Sequence, residues 1–133
     1  MEGAQYRGSQ PVSAGWGWLF PALWVGLILV ASSIPDISTP RGFAARDKII
    51  HISEYGVLAV LVAVALREGF RWRRSTCAWI AFAISLAVGA LDEAYQCTVG
   101  GREADLWDFL ADGVGAAVGQ VFLLVGRVRG SRT

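Results

Sequence analysis

Four apolar runs, each long enough to cross a bilayer as a helix, dominate this sequence of 133 residues. The runs cover residues 16–33, 49–66, 75–91 and 106–125. A helix of about 20 apolar residues spans the hydrocarbon core, and proline, glycine and charged residues mark the connections between such helices. The hydrophobic fraction of 54% and the mean hydropathy of +0.46 exceed those usual for a soluble domain of this length. The pattern predicts an all-α integral membrane bundle of four transmembrane helices, forming one domain at 16–125 between polar tails at 1–15 and 126–133.

Lysine and arginine residues predict the orientation of these helices, because short cytoplasmic loops are enriched in them. The two tails and the 67–75 loop together hold eight of the twelve, whereas the 34–48 and 92–105 loops hold four. We therefore expect both termini to be cytoplasmic. The net charge of +1 gives no reason to expect a nucleic-acid partner.

The first apolar run also has features of a secretory signal, since Arg7 precedes it and small residues follow it at 31–33. Its length and its tryptophans, Trp16, Trp18 and Trp24, favour a helix that is retained in the membrane. Cleavage after this run stays open as an alternative.

Nine of the eleven acidic residues lie at the end of the predicted bundle opposite the 67–75 loop, so this end should carry the function. The second helix begins there, the third ends there and the fourth begins there. The spacing of Asp47, His51, Glu54 and Tyr55 places these side chains on one face of the second helix. Charged groups within a span normally face the bundle interior and pair with one another. The other predicted members of this cluster are Lys48, Asp92, Glu93, Gln96, Arg102, Asp105, Asp108 and Asp112.

Two motifs, DKIIHISEY at 47–55 and DEAYQCTVGGREADLWDFLADGVGAAVG at 92–119, resemble those of VanZ-like membrane proteins in their order and spacing. The resemblance covers residues 30–125. It implies a small multi-helix protein of the bacterial cell envelope, in the cytoplasmic membrane, with a link through the namesake to resistance against the glycopeptide teicoplanin. Asp112 departs from the asparagine expected in the family pattern. The resemblance implies that the polar residues typical of the family correspond here to Asp47, Lys48, His51, Tyr55, Asp92, Glu93, Gln96, Arg102 and Asp108.

The leading functional hypothesis is a site that binds or modifies a lipid-linked anionic headgroup at the outer leaflet. Membrane lipids, and among them a lipid-linked cell-wall precursor, are the expected partners. Lys48 and Arg102 are the candidates for holding phosphate, for which arginine offers two parallel hydrogen bonds. Tyr55 and Gln96 complete the predicted substrate-binding set.

For chemistry at this site, His51 is the natural general acid or base because its ordinary pKa lies near neutrality. With one histidine and no CxxC pair in the chain, metal sites rich in histidine or cysteine are excluded. A divalent cation stays open, and no other cofactor is indicated. The candidate catalytic and metal-binding partners of His51 are Asp92, Glu93 and Asp108, with Asp47, Glu54 and Asp112 in supporting positions.

Whether a reaction takes place is open, because the sequence holds no nucleophile motif. If one does, a hydrolase or transferase acting on lipid phosphate fits these residues. A second hypothesis is a non-catalytic accessory protein, in which the polar cluster fastens the helices and the effect comes through partners. A third, less favoured because no inverted repeat is evident, is a small proton-coupled carrier.

Overall fold

The computed structural model describes residues 14–34 and 44–126, and within these ranges the chain is entirely helical, without strands. The predicted tails therefore lie largely outside the described residues, as does Asp36 in the first loop. The helices are α1 (Ala14–Ser32), α2 (Ala44–Phe70), α3 (Arg74–Gln96) and α4 (Leu106–Gly126). This confirms the prediction of an all-α chain.

Three of the helices are long and apolar enough to cross a membrane. The qualifying segments are Arg46–Phe70, Arg74–Gln96 and Leu106–Val125. The apolar part of α1, Gly17–Ser32, is shorter than these three. A fourth span at 16–33 therefore stays a prediction.

Two helices extend further than their apolar runs predicted. α2 begins at Ala44 rather than 49, and α3 continues to Gln96 rather than ending at 91. Helical backbone does not require apolar side chains, and an acidic residue such as Asp47 in the first turn of α2 interacts favourably with the helix dipole. The polar residues at 47–54 and 92–96 thus lie on continuous helices rather than in loops.

Close backbone contact holds α2 and α4 side by side in a parallel arrangement. α3 packs against both helices and runs in the opposite direction. A Cβ atom at Gly115 would overlap the backbone of Ile52, and one at Gly119 would overlap the backbone of Gly56. Gln120 continues this register, since its Nε2 donates to the carbonyl oxygen of Ala59 at 2.8 Å. Gly115 and Gly119, four residues apart, therefore form a packing face of α4, as small residues do between membrane helices.

Away from the polar end the interior of the bundle is mainly apolar, with Ser85 and Gln120 as buried polar residues, and the exterior is mainly apolar too. Ile28, Leu58 and Val62 belong to the buried core. On the outside, Trp79 and Phe122 are exposed over 73% and 75% of their surface. An exterior of this kind suits contact with lipid, because soluble monomers rarely expose large contiguous apolar patches.

Candidate functional site

All four helices contribute polar side chains to one end of the bundle, where α1 and α3 end and α2 and α4 begin. Each helix is positioned by the core packing, so residues up to 64 positions apart in the chain form hydrogen bonds there. We call this set of residues the polar layer. Its members are Ser32, Lys48, His51, Tyr55, Asp92, Glu93, Gln96, Asp105, Asp108 and Asp112.

The central contact of the polar layer joins α2 to α4. His51 Nδ1 lies 2.8 Å from Asp112 Oδ1, and the two side chains are exposed over only 8% and 0% of their surface. Gly89 on α3 makes room for this pair, because a Cβ atom at that position would lie 2.8 Å from Asp112 Oδ2. The rings of His51 and Tyr55 are parallel, with centroids 6.5 Å apart. Both side chains therefore face the interior, as the spacing on α2 predicted.

Lys48 pairs with two carboxylates at the start of α4. Its Nζ donates to Asp105 Oδ2 at 2.9 Å and also to Asp108 Oδ1. Asp105 in addition caps α4, since its Oδ1 accepts the backbone N–H of Trp107 at 2.8 Å. The hydrogen bond from Lys48 and the one from Trp107 hold the pKa of the Asp105 carboxyl below its usual range. Lys48 is thus already paired, although the sequence suggested it for phosphate.

Asp92 and Glu93 connect α3 to its neighbours through different contacts. Asp92 Oδ2 accepts from Ser32 Oγ at 2.9 Å and from Gln96 Nε2 at 3.2 Å, which joins α1 to α3. Glu93 Oε2 accepts the backbone N–H of Asp105 at 2.9 Å, which joins α3 to the start of α4. The adjacent carboxylates of Asp92 and Glu93 therefore bind separate parts of the bundle.

Several buried oxygen atoms of the polar layer have no hydrogen-bond partner among the described residues. Buried polar groups are normally paired, and an unpaired one costs about 1–3 kcal/mol. The described side chains alone thus leave part of the layer unsatisfied. The atoms concerned are Tyr55 Oη, Asp92 Oδ1, Glu93 Oε1 and Asp112 Oδ2.

Three of the residues predicted for the site lie at its margin. Asp47 is exposed, and Glu54 is half-buried, with its main-chain carbonyl accepting from Trp24 Nε1 at 2.9 Å. Arg102 is half-buried in the connection between α3 and α4, next to Gly101, whose φ of 82° turns the chain. The Arg102 guanidinium forms no hydrogen bond or ion pair with any residue in the described part of the chain.

Two groups of side chains bring three potential metal ligands together, with one ligand atom of each residue within 4.8 Å of the others. One group is Asp47, His51 and Asp108, and the other is His51, Glu93 and Asp112. Asp92 is in neither group. The three residues predicted as metal ligands, Asp92, Glu93 and Asp108, therefore do not form one group of neighbouring ligand atoms.

Sequence reasoning did not identify Ser32, Trp24 or Gly89 as parts of this site. Ser32 looked like the end of an apolar run, and its bond to Asp92 depends on how α1 rotates against α3. Gly89 lies in an apolar run, where its role depends on the position of Asp112. The only sequence signal for Ser32 and Gly89 was that each is a small residue within a predicted helix.

A bundle with three helices able to span a membrane, an apolar exterior and ionisable groups buried at one end is a multi-pass membrane protein. The family model described as VanZ/LLP1 matches residues 14–127, and the chain belongs to this family. The match confirms the resemblance seen in the motifs at 47–55 and 92–119. No curated protein and no solved structure matches the chain.

Proposed function

We propose that the polar layer binds the phosphate-bearing headgroup of a membrane lipid at the outer leaflet of a bacterial cytoplasmic membrane. In this proposal both termini are cytoplasmic and α1 is a fourth span. A lipid-linked cell-wall precursor is the substrate class that would connect the site to teicoplanin susceptibility.

The observation that carries the proposal is the half-buried Arg102 guanidinium at the polar end of the bundle, which has no hydrogen bond or ion pair with any described residue. A layer that served only to fasten helices would satisfy its own hydrogen bonds, because a half-satisfied buried network is less stable than an apolar core. Tyr55 Oη, an O–H group, can donate to an acceptor on a ligand. Tyr55 Oη and the Arg102 guanidinium are the donors that support binding of a phosphate, whereas the unpaired carboxylate oxygens of the layer can only accept hydrogen bonds.

Charge favours Arg102 as the group that meets the phosphate. Lys48 and His51 are each paired with carboxylates, whereas the Arg102 guanidinium is unpaired among the described residues. Guanidinium groups bind phosphate oxygens through two parallel hydrogen bonds. Because Arg102 lies in the connection that leads to Asp105, a headgroup that it holds would sit at the open end of the layer.

If the headgroup is transformed, His51 is the residue equipped to move the proton. Asp112 holds one ring nitrogen of His51, which fixes the orientation of the imidazole and leaves the other nitrogen for a substrate. Hydrolysis or transfer of the phosphoryl group would use His51 in this way. Binding alone requires only that the layer accommodate the headgroup.

The experiment that tests the proposal is equilibrium binding of the purified full chain to nanodiscs that contain a polyprenyl phosphate or, as a control, the uncharged polyprenol. We expect the phosphate lipid to bind and Arg102→Ala to weaken its binding about 10- to 100-fold, as loss of a charge-assisted hydrogen bond predicts. Arg74→Ala is the matched control, because Arg74 is exposed at the other end of the bundle. Equal binding of the two lipids, or equal effects of the two substitutions, would contradict the proposal.

A second candidate function, a non-catalytic accessory protein, is favoured by the hydrogen bonds that join the helices. Ser32 to Asp92 and Glu93 to Asp105 each connect separate elements. In that case His51→Ala and Asp92→Ala would lower the membrane abundance and thermal stability of the protein together with any effect on teicoplanin susceptibility. Full abundance with a lost effect would exclude this candidate.

A further inference from the structure

We infer that His51, Glu93 and Asp112 form a binding site for one divalent transition-metal ion of the Mn²⁺ to Zn²⁺ range. Each of the three offers one ligand atom within 4.8 Å of the other two. All three residues are buried, with exposures of 6%, 7% and 0%. They come from α2, α3 and α4, so an ion bound here would join the three helices that span the membrane.

Independent support comes from the way in which the two carboxylates are held. Glu93 Oε2 accepts the Asp105 N–H at 2.9 Å, while Glu93 Oε1 is buried and unpartnered among the described residues. Asp112 Oδ1 contacts His51 Nδ1 at 2.8 Å, while Asp112 Oδ2 is likewise buried and unpartnered. In each carboxylate one oxygen orients the group and the other is available to a ligand, an arrangement common around metal sites.

The side chains of Glu93 and Asp112 approach the same region between α3 and α4. Asp112 Oδ2 faces Gly89 on α3, where a Cβ atom would come within 2.8 Å of it. Glu93 follows Gly89 by four residues, so it lies on the same face of α3 one turn further toward the polar end. The carboxylates of Glu93 and Asp112 therefore converge on His51 from neighbouring helices.

The donor set selects the class of ion. An imidazole nitrogen with two carboxylate oxygens suits Zn²⁺, which takes three protein ligands and an open position in reactive sites, and also Mn²⁺. Ca²⁺ and Mg²⁺ favour sites built from oxygen alone. Two carboxylates also balance the charge of a divalent ion, which offsets the cost of burying them.

The alternative group, Asp47, His51 and Asp108, is less suited to an ion. Lys48 donates to Asp108 and so already compensates its charge, and Asp47 is exposed to competing solvent. His51 belongs to both groups, and Asp47 therefore provides a substitution that separates them. A metal held by Glu93 and Asp112 should be insensitive to Asp47→Asn.

The experiment uses the purified full chain in detergent, stripped with a chelator and reloaded separately with Zn²⁺ and Mn²⁺. Bound metal per chain is measured by elemental mass spectrometry, and affinity by competition with a chelating dye. We expect one ion per chain for at least one of the two metals. Glu93→Gln and Asp112→Asn should each lower the affinity at least about 100-fold, because loss of an outer-shell partner alone costs 10- to 100-fold. Asp47→Asn should retain the wild-type affinity.

Thermal unfolding with and without metal distinguishes a variant that has lost the metal site from one that does not fold. The wild-type protein and Asp47→Asn should gain stability on adding the ion, whereas folded Glu93→Gln should gain none. If Asp112→Asn does not fold, Glu93→Gln still decides the question. Absence of a bound ion after reloading with either metal would overturn the inference, and so would full affinity in Glu93→Gln.

This inference does not depend on lipid binding, although an ion bound to the second ring nitrogen of His51 would exclude the proton transfer suggested for that nitrogen, so those two roles of His51 are alternatives. A protein that binds the ion but does not distinguish polyprenyl phosphate from polyprenol would overturn the lipid function and leave the metal site in place. A protein that binds the phosphate lipid after chelation, with no ion retained on reloading, would overturn the metal site and leave the lipid function in place.

Discussion

His51 on α2 and Asp112 on α4 meet through Nδ1 and Oδ1 at 2.8 Å, although they are 61 positions apart in the chain. The contact depends on the close approach of the two helices, which Gly115 and Gly119 permit. The same packing that holds the bundle together therefore aligns the ionisable groups of the polar layer. Substitutions in the packing face of α4 and substitutions of His51 or Asp112 can therefore be tested separately for their effects on stability.

The pair of His51 and Asp112 should contribute directly to stability. We expect a coupling free energy of about 1–2 kcal/mol between His51→Ala and Asp112→Ala, near the upper end for side-chain hydrogen bonds within membrane bundles. A double-mutant cycle of unfolding in detergent measures it. A chelator in every sample keeps metal binding out of the comparison, and strictly additive effects would contradict the contact.

The glycines of α4 should be far less tolerant than a glycine of α1. Gly115→Ala places a Cβ atom against the backbone of Ile52, which cannot move away as a flexible side chain can. We expect a loss of more than about 2 kcal/mol in the free energy of unfolding, an overpacking cost. Gly26→Ala is the matched control, since nothing lies within 4 Å of a Cβ atom there. It should be neutral or stabilising, because alanine favours helix by up to about 1 kcal/mol. Similar unfolding curves for the two variants would be inconsistent with this packing.

Lys48 should act on stability more than on phosphate binding. Lys48→Met leaves the buried Asp108 without its cation, and we expect a loss of about 1–3 kcal/mol. Asp105→Asn should cost under about 1 kcal/mol, because Asp105 is 43% exposed and asparagine preserves a helix cap. Unfolding in detergent and binding to polyprenyl phosphate are measured for both variants. A Lys48→Met protein with normal stability and lost lipid binding would return Lys48 to the phosphate-binding role suggested by the sequence.

The native cysteines test which end of the bundle faces outward. Cys97 is exposed in the turn after α3, beside the polar layer, whereas Cys77 is buried near the other end. If the layer lies at the outer surface, a membrane-impermeant maleimide should label wild-type protein in intact cells. Cys97→Ser should abolish that labelling, and Cys77→Ser should leave it unchanged. Labelling that appears only after the cells are permeabilised would reverse the proposed topology.

The helices and the position of the polar layer could be predicted because they depend on local pattern. Apolar runs of sufficient length predicted α2, α3 and α4, and charge spacing predicted that His51 and Tyr55 face inward. Such features need no knowledge of how one helix rotates against another.

The pairing within the layer could not be predicted in the same way. Nine acidic residues lie at this end of the predicted bundle, and helix register decides that Lys48 lies next to Asp108. Ser32 and Gly89 acquire their roles only through residues on other helices. For the same reason the sequence suggested Asp92, Glu93 and Asp108 as metal ligands, whereas Asp92 lies in neither group of neighbouring ligand atoms and Glu93 and Asp108 lie in different groups.

The most direct test of the account is the thermal stability of the full chain in nanodiscs with polyprenyl phosphate or polyprenol, measured for wild-type protein and Arg102→Ala. Ligand at about 100 times its dissociation constant stabilises the native state by about 2.7 kcal/mol, which corresponds to a shift of about 5–10 °C in a chain of this size. We expect that shift for the phosphate lipid with wild-type protein, and a much smaller one for Arg102→Ala at equal membrane abundance. Equal melting temperatures in the two lipids would contradict it, and so would an undiminished shift in Arg102→Ala.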